Sequence, residues 1–151
     1  MVATALVAAL VAGCAGSGGG KSGKPKPACK PPATTTVCFS SNIQPIFNRS
    51  CALAGCHVPA AQFPDLSQSD SYNAIVGKRS QQQARLQLVN PGDPNDSYLV
   101  RKIDGGPDIS GVLMPQGCPA APVKGQCLTA DETTAIAQWV KECALNTSPC
   151  P

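Results

Sequence analysis

The residues best suited to chemistry are two cysteines followed at once by the only histidine of the chain. The stretch Cys51–His57 reads CALAGCH, with four residues between the two thiols. This order is typical of c-type haem attachment, in which each thiol forms a thioether with a haem vinyl group and the histidine ligates iron. The commoner spacing is two residues, so four require a bulged loop, for which Gly55 supplies conformational freedom.

Two other interpretations of this motif stay open. Cys51 and Cys56 could join disulfides, with His57 an ordinary surface histidine. A zinc ion would find three ligands here, but the sequence lacks the second ligand cluster that is usual in structural zinc sites. The single histidine also excludes any site that needs two from one chain, such as a bis-histidine haem.

Met114 is the candidate for the second axial ligand of such a haem. The chain has two methionines, and Met1 is expected to be removed with an export signal. Met114 precedes a proline, and a loop that ends in proline suits a thioether held over a haem face. A His/Met pair raises the reduction potential of haem iron. Lysine, water or an open iron position are the alternatives.

An apolar run opens the chain and leads to a cysteine. Val2–Ala12 is too short to span a bilayer and has the length of an export-signal core. The residues that end in Cys14 resemble the lipobox of bacterial lipoproteins, although no lysine or arginine precedes the run. We therefore expect a signal peptide over residues 1–13, lipidation of Cys14 and a linker over residues 14–37. The alternative is a disordered apolar tail with a chance cysteine.

The basic charge of the chain lies in that linker. The formal net charge is +3, but four of the twelve basic residues are linker lysines. From Cys38 onward eight basic residues accompany nine acidic ones, a net charge of −1. The overall charge therefore does not indicate a nucleic-acid-binding fold, and we expect no nucleic-acid partner.

Apolar periodicity predicts short helices and no sheet. The first is expected over Ile43–Cys51 with Asn42 as N-cap, and the second over Asp70–Val76, stopped by Gly77. A third should begin at Asp93-Pro94 and end at Asp104. Aromatic residues make up only 4% of the chain, which leaves a thin core that a cofactor or disulfides would supplement.

The last predicted helix has the clearest pattern. Thr129 and Glu132 form a capping box. Four apolar residues then follow at helical spacing and define one buried face: Ile136, Trp139, Val140 and Cys143.

Together these segments resemble a monohaem class I cytochrome c domain. The order is that of the family: Ile43–Phe47, the haem motif, Leu113–Pro115, and Leu128–Glu132 leading to Trp139. The resemblance covers about residues 38–145. It implies an all-α domain over residues 38–151, with three to five helices around one covalent haem c, long loops and disulfides.

This resemblance also carries expectations about the surroundings of the haem. An apolar shell is expected from Phe47, Leu53, Leu99, Leu113 and Trp139. One of three arginines is expected to neutralise a haem propionate: Arg79, Arg85 or Arg101. The carbonyl of Pro59 or Pro64 is expected to accept the ring N–H of His57, which would fix the imidazole tautomer.

Six cysteines remain once one is assigned to lipid and two to haem. Cys118–Cys127 is the preferred bridge, because both residues lie in one loop just after Met114 and would stiffen it. In the resembled fold the last helix packs on the first, which suggests Cys38–Cys143 and then Cys29–Cys150. The competing set is Cys29–Cys38 with Cys143–Cys150.

The sequence therefore predicts an exported electron carrier rather than an enzyme. It would shuttle one electron through Fe(III)/Fe(II) to a redox partner in the periplasm or cell envelope. Ala15 follows Cys14 where an inner-membrane lipoprotein would have aspartate, which by resemblance favours the outer membrane. The alternatives are a haem-free, disulfide-rich binding lipoprotein and a haem-based sensor with an open iron position.

Overall fold

The computed structural model describes residues 28–146. The predicted signal peptide, the lipidation site Cys14 and Cys150 lie outside them. A single π-helical turn and a 3-10 turn accompany four α-helices in this part of the chain. In chain order the elements are the π turn Phe39–Ile43, α1 Gln44–Ser50, α2 Ser71–Ile75, the 3-10 turn Pro94–Asp96, α3 Tyr98–Asp104 and α4 Ala130–Lys141. The predicted all-α class is confirmed for these residues.

The first helical segment begins earlier than the sequence predicts. The π turn starts at Phe39, and Asn42 is therefore inside the helical segment rather than at its N-cap. The Asn42 side-chain carbonyl instead accepts a hydrogen bond from the Cys38 N–H at 2.8 Å. Pro45 falls in the first turn of α1, where no intrahelical N–H bond is lost.

The third helical segment is divided at Ser97. The 3-10 turn ends at Asp96, and Ser97 is extended because its hydroxyl accepts the Asn90 N–H and donates to the Asp93 carbonyl, both at 2.8 Å. α3 then runs to Asp104 and ends at Gly105 in the left-handed region, φ +79°. The predicted second helix and the capping box of α4 are confirmed.

An aromatic cluster joins the π turn to α2 and α4. The Phe39 ring lies 5.1 Å from Trp139 and 5.2 Å from Tyr72, centroid to centroid. Two of these rings also hydrogen-bond to the chain that follows α4. The Tyr72 hydroxyl donates to the Ala144 carbonyl, and the Trp139 indole N–H donates to the Leu145 carbonyl. Four of the six aromatic residues thus pack against one another in one part of the core: Phe39, Phe47, Tyr72 and Trp139.

No strand occurs within residues 28–146. Isolated bridges pair Val76 with Val89, Arg79 with Gln87, and Gln87 with Ser97, and they hold the long connection between α2 and α3. Among the described residues, no helix has the length and apolar character needed to cross a membrane.

The disulfides confirm one predicted bridge and correct the others. Cys118–Cys127 is formed as predicted. Cys29 pairs with Cys143, so Cys38–Cys143, Cys29–Cys150 and the competing set with Cys29–Cys38 and Cys143–Cys150 are wrong. Cys38 is itself disulfide-bonded.

Glu142 explains why Cys29 reaches Cys143. α4 ends at Lys141, so Cys143 lies beyond the helix, in the left-handed region at φ +70°, rather than on its buried face. The buried Glu142 carboxylate accepts hydrogen bonds from the Thr36 N–H at 2.8 Å, the Thr36 hydroxyl at 2.5 Å and the Val37 N–H at 3.1 Å. These bonds hold the segment before the π turn against the end of α4.

Glu142→Gln should weaken the fold at neutral pH and make it less sensitive to acid. Burial alone would raise the pKa of Glu142, but its hydrogen bonds from Thr36, Gln138 and Val37 outweigh burial and lower that pKa. The stabilisation is therefore present above the ordinary carboxyl pKa of 4.5 and is lost as pH falls through the lowered value. We expect a loss of about 2 kcal/mol at pH 7, measured by urea unfolding between pH 3 and 7.

Asp131→Asn, a change at an exposed carboxylate, is the matched control and should keep the wild-type pH profile. A Glu142→Gln protein with unchanged acid sensitivity would contradict the assignment.

Candidate functional site

A cavity of about 580 Å³ lies between three parts of the chain. They are the haem-type motif Cys51–His57, α3, and the loop 110–115 that carries Met114, called the methionine loop below. Cys51, Cys56, His57 and Met114 all line it. The sequence separates Met114 from the motif by more than fifty residues, and the fold brings them to one space. The volume is within the ~300–1,000 Å³ range of small-molecule and cofactor sites.

His57 is held through its ring and through its main chain. Its Nδ1 lies 3.1 Å from the Pro64 carbonyl, so of the two predicted acceptors Pro64 is the one in contact. The His57 carbonyl accepts the Leu66 N–H at 2.9 Å. Buried Gln44 in turn donates to the Leu66 carbonyl at 3.1 Å and accepts from the Ser71 hydroxyl. This chain of bonds fixes the loop that carries the imidazole to α1 and α2.

Burial lowers the pKa of His57, against the opposing effect of the hydrogen bond to the Pro64 carbonyl. The imidazole is therefore neutral at pH 7. Nδ1 faces the Pro64 carbonyl, which can only accept a hydrogen bond, so in the neutral ring Nδ1 carries the proton and Nε2 carries the lone pair, the form that ligates a metal.

Cys51 and Cys56 are the two free thiols of the described chain. Burial, together with the nearby Cys56 thiol, raises the pKa of Cys51 to about 12. The bulged loop between them is closed by hydrogen bonds from Leu53 N–H to the Cys51 carbonyl and from Cys56 N–H to the Leu53 carbonyl. Gly55 adopts φ +80°, the left-handed conformation predicted for the bulge.

Met114 is tied to α3 by its main chain. Its N–H donates to the Lys102 carbonyl at 2.8 Å. The side chain lines the large cavity and also a neighbouring space of about 120 Å³, which the Cys118–Cys127 bridge borders. The disulfide thus borders the same small space as the Met114 side chain.

One of the five residues predicted to form an apolar shell lines this cavity. Leu99 lines the cavity, but Phe47 and Trp139 are in the core cluster around Phe39, and Leu113 borders the smaller space. Leu53 is at the bulged loop. The observed apolar wall comes from α2, from α3 and from irregular chain before and after α2: Leu66, Ile75, Leu88, Tyr98 and Ile103.

None of the three predicted arginines lines the cavity, because each is engaged nearby. Arg79 donates to the Ala84 carbonyl, Arg85 pairs with Asp108, and Arg101 bonds the Asn95 carbonyl and Asp96. The cations at the cavity are Lys102 and Lys124, which sequence reasoning missed.

The Cys118–Cys127 disulfide loop is in contact with the bulge between Cys51 and Cys56. The loop closed by Cys118–Cys127 packs on the bulge of the haem-type motif, where Lys124 Nζ donates to the Ala54 carbonyl at 2.5 Å. Gly125 approaches the same region so closely that an added Cβ would lie 2.5 Å from both the Arg49 carbonyl oxygen and Leu53 Cδ1. The disulfide loop therefore supports the four-residue spacing.

Gly125→Ala should destabilise the protein by about 2–3 kcal/mol, because it combines a left-handed residue with a steric clash. Gly77→Ala is the matched control, since Gly77 has the same φ of +69° and nothing within 4 Å of the added carbon. Urea unfolding of both variants separates the clash from the strain. Equal losses would show that the contact between the two loops contributes nothing.

The residues around the cavity fit a c-type haem. Two free thiols, a neutral imidazole with an oriented ring and a thioether share one largely apolar space of adequate size. Thiols that add to vinyl groups, a nitrogen ligand and a sulfur ligand are the set that such a cofactor requires. No group of three or more Cys, His, Asp or Glu suited to a bare metal ion occurs within the described residues.

The similarity of this chain to known proteins concerns its fold and does not assign a family. No family model matches the sequence, and no curated protein matches it. Among solved structures, the chain is similar to hydrazine synthase of Kuenenia stuttgartiensis, with a TM-score of 0.52 and 23% identity over 76% of this chain. The chain spans 17% of the length of that protein. At this identity the likeness concerns the fold alone.

Proposed function

We propose that the chain is an electron-transfer protein with one covalently bound haem c in the 580 Å³ cavity. The observation that carries the proposal is that Cys51, Cys56, His57 and Met114, chosen from the sequence for that cofactor, line the same cavity. The bound haem would supply one-electron Fe(III)/Fe(II) chemistry. In this proposal the fold is that of a small cytochrome c domain.

The roles of the chain's own groups follow from the geometry. The Cys51 and Cys56 thiols would each add across a vinyl double bond, with the sulfur and the hydrogen ending on adjacent carbons. His57 would ligate iron through Nε2, while Nδ1 donates to Pro64. Met114 would provide the second axial ligand. The apolar wall would exclude water and so favour the less charged reduced state.

The position in the cell belongs to the proposal too. Lipidation at Cys14 would anchor the protein to the cell envelope, facing the periplasm and most consistent with the outer membrane. The partner would be a redox protein of that compartment. The disulfides Cys29–Cys143 and Cys118–Cys127 are in keeping with export to an oxidising compartment.

Coexpression with a haem-attachment system tests the proposal. The purified protein should be coloured, give the pyridine haemochrome spectrum of a haem with two thioethers, and gain the mass of one haem. Cys51→Ser combined with Cys56→Ser should abolish the covalent mass. A colourless wild-type protein without haem mass would refute the function.

A further inference from the structure

Lys102 is a buried lysine with no carboxylate partner among the described residues. It is 8% exposed, and its ammonium donates to the carbonyls of Ser110 at 2.9 Å and Val112 at 2.5 Å. Its own carbonyl accepts the Met114 N–H at 2.8 Å. One residue of α3 therefore holds three points of the segment 110–114, with its side chain and its main chain acting together.

The burial of the Lys102 ammonium is energetically unfavourable by itself. Here the cost is offset by hydrogen bonds to two carbonyls that would otherwise lack a donor. The other side-chain hydrogen bonds of the segment 110–114 are both at Ser110, whose N–H donates to the Tyr98 hydroxyl at 2.9 Å and whose hydroxyl donates to the Gln82 carbonyl at 3.4 Å. Gly111 and Val112, between Ser110 and Met114, are exposed. Met114 follows directly and lines the same cavity as Lys102.

We propose that Lys102 is the positioning residue that holds the Met114 thioether at the cofactor cavity. The inference rests on the proposed function. Its ammonium fixes the start of the loop through Ser110 and Val112, and its carbonyl fixes Met114 itself. Without the ammonium, the loop would keep the contacts of Ser110 with Tyr98 and Gln82 and the main-chain bond at Met114, but it would lose the bond at Val112, and the thioether would leave the iron more often.

Lys124 offers the contrast within the same cavity. Its ammonium also donates to a carbonyl, that of Ala54, but it is exposed and binds the bulged loop rather than the methionine loop. The control is therefore taken from outside the cavity: Lys141 is an exposed lysine at the end of α4 and does not line the cavity.

The test uses haem-loaded Lys102→Leu, with Lys141→Leu as the control and Lys102→Arg as the rescue. Lys102→Leu should lose most of the ferric absorption band that reports sulfur ligation by methionine, and should bind CO at least about tenfold faster, as loss of two charged hydrogen bonds implies. Lys102→Arg should restore both, and Lys141→Leu should retain both.

Amide hydrogen exchange at Met114 supplies a readout that does not depend on haem. Exchange should be about tenfold or more faster in Lys102→Leu, because the loop opens locally more often. If Lys102→Leu does not accumulate, Lys102→Gln, which keeps a single donor group, should show the same changes in reduced form. An unchanged methionine band and unchanged Met114 exchange in the variant that folds would overturn the inference.

Failure of the proposed function would give a different experimental result from failure of the Lys102 inference. In that case the wild-type protein itself would carry no covalent haem, whereas the exchange rate at Met114 would still report whether Lys102 holds the loop.

Discussion

Met114→Ala is expected to lower the reduction potential of the haem-loaded protein by roughly 0.1–0.3 V, within the ~0.8 V range that axial ligands span. Loss of the thioether removes the ligand that favours Fe(II) and leaves a position for water or an added ligand. The ferric methionine band should disappear, and CO should bind readily to the reduced protein. Potentiometric titration and CO titration measure the two effects.

Val112→Ala is the matched control for this substitution. Val112 is on the same loop, 51% exposed, and the change truncates an apolar side chain without removing a ligand. It should leave the potential and the spectrum as in the wild type. A Met114→Ala protein with the wild-type spectrum and potential would remove Met114 as the ligand while leaving covalent attachment through Cys51 and Cys56 intact.

The second large effect is expected from the Cys29–Cys143 bridge. The bridge joins residues 114 apart in sequence. Chain-entropy arguments give about 5 kcal/mol of stabilisation for a loop of that length. Cys29→Ser combined with Cys143→Ser should therefore lose about 4–5 kcal/mol in urea unfolding. The segment before the π turn, which Glu142 binds at Thr36 and Val37, should become accessible to protease.

Removal of the Cys118–Cys127 bridge provides the comparison. Its residues are only 9 apart, for which the same argument gives about 3 kcal/mol. This variant should lose less stability, yet it should weaken Met114 ligation more, because the bridge borders the space behind Met114. Equal effects of both double variants on stability and on ligation would contradict the division of roles.

The features predicted correctly from sequence are those that local residues determine. The capping box of α4 needs only Thr129 and Glu132, and Gly55 meets the need of a bulge for a left-handed residue. Cys118 and Cys127 are close enough in sequence to pair within one loop. The fold then brings Met114 to the cavity of His57, as the choice of these two residues as axial ligands requires.

The features that were missed depend on distant contacts. Cys29 could be assigned to Cys143 only by knowing that Glu142 draws Thr36 to the end of α4. Charge alone makes each arginine a candidate for a haem propionate, but the guanidinium groups of Arg79, Arg85 and Arg101 already bond neighbouring carboxylates or carbonyls. Lys102 has no pattern around it in the sequence, and its importance arises from burial.

The apolar wall of the cavity also depends on contacts that the sequence pattern does not predict. Leu66 and Leu88 lie on irregular chain held by isolated bridges and side-chain bonds, so no periodicity indicates which way they face. The size and apolar character of Phe47 and Trp139 suit a haem wall. They are instead used in the aromatic cluster that joins the π turn to α4.

The Cys29–Cys143 bridge has a mechanical consequence. Tension applied at the two ends of the chain reaches Cys29 and crosses directly to Cys143 through a covalent bond. The helices and the cavity lie between these two residues and are bypassed by that path. A pull on the chain from outside the bridge would therefore leave the geometry of the site unchanged until the disulfide is reduced.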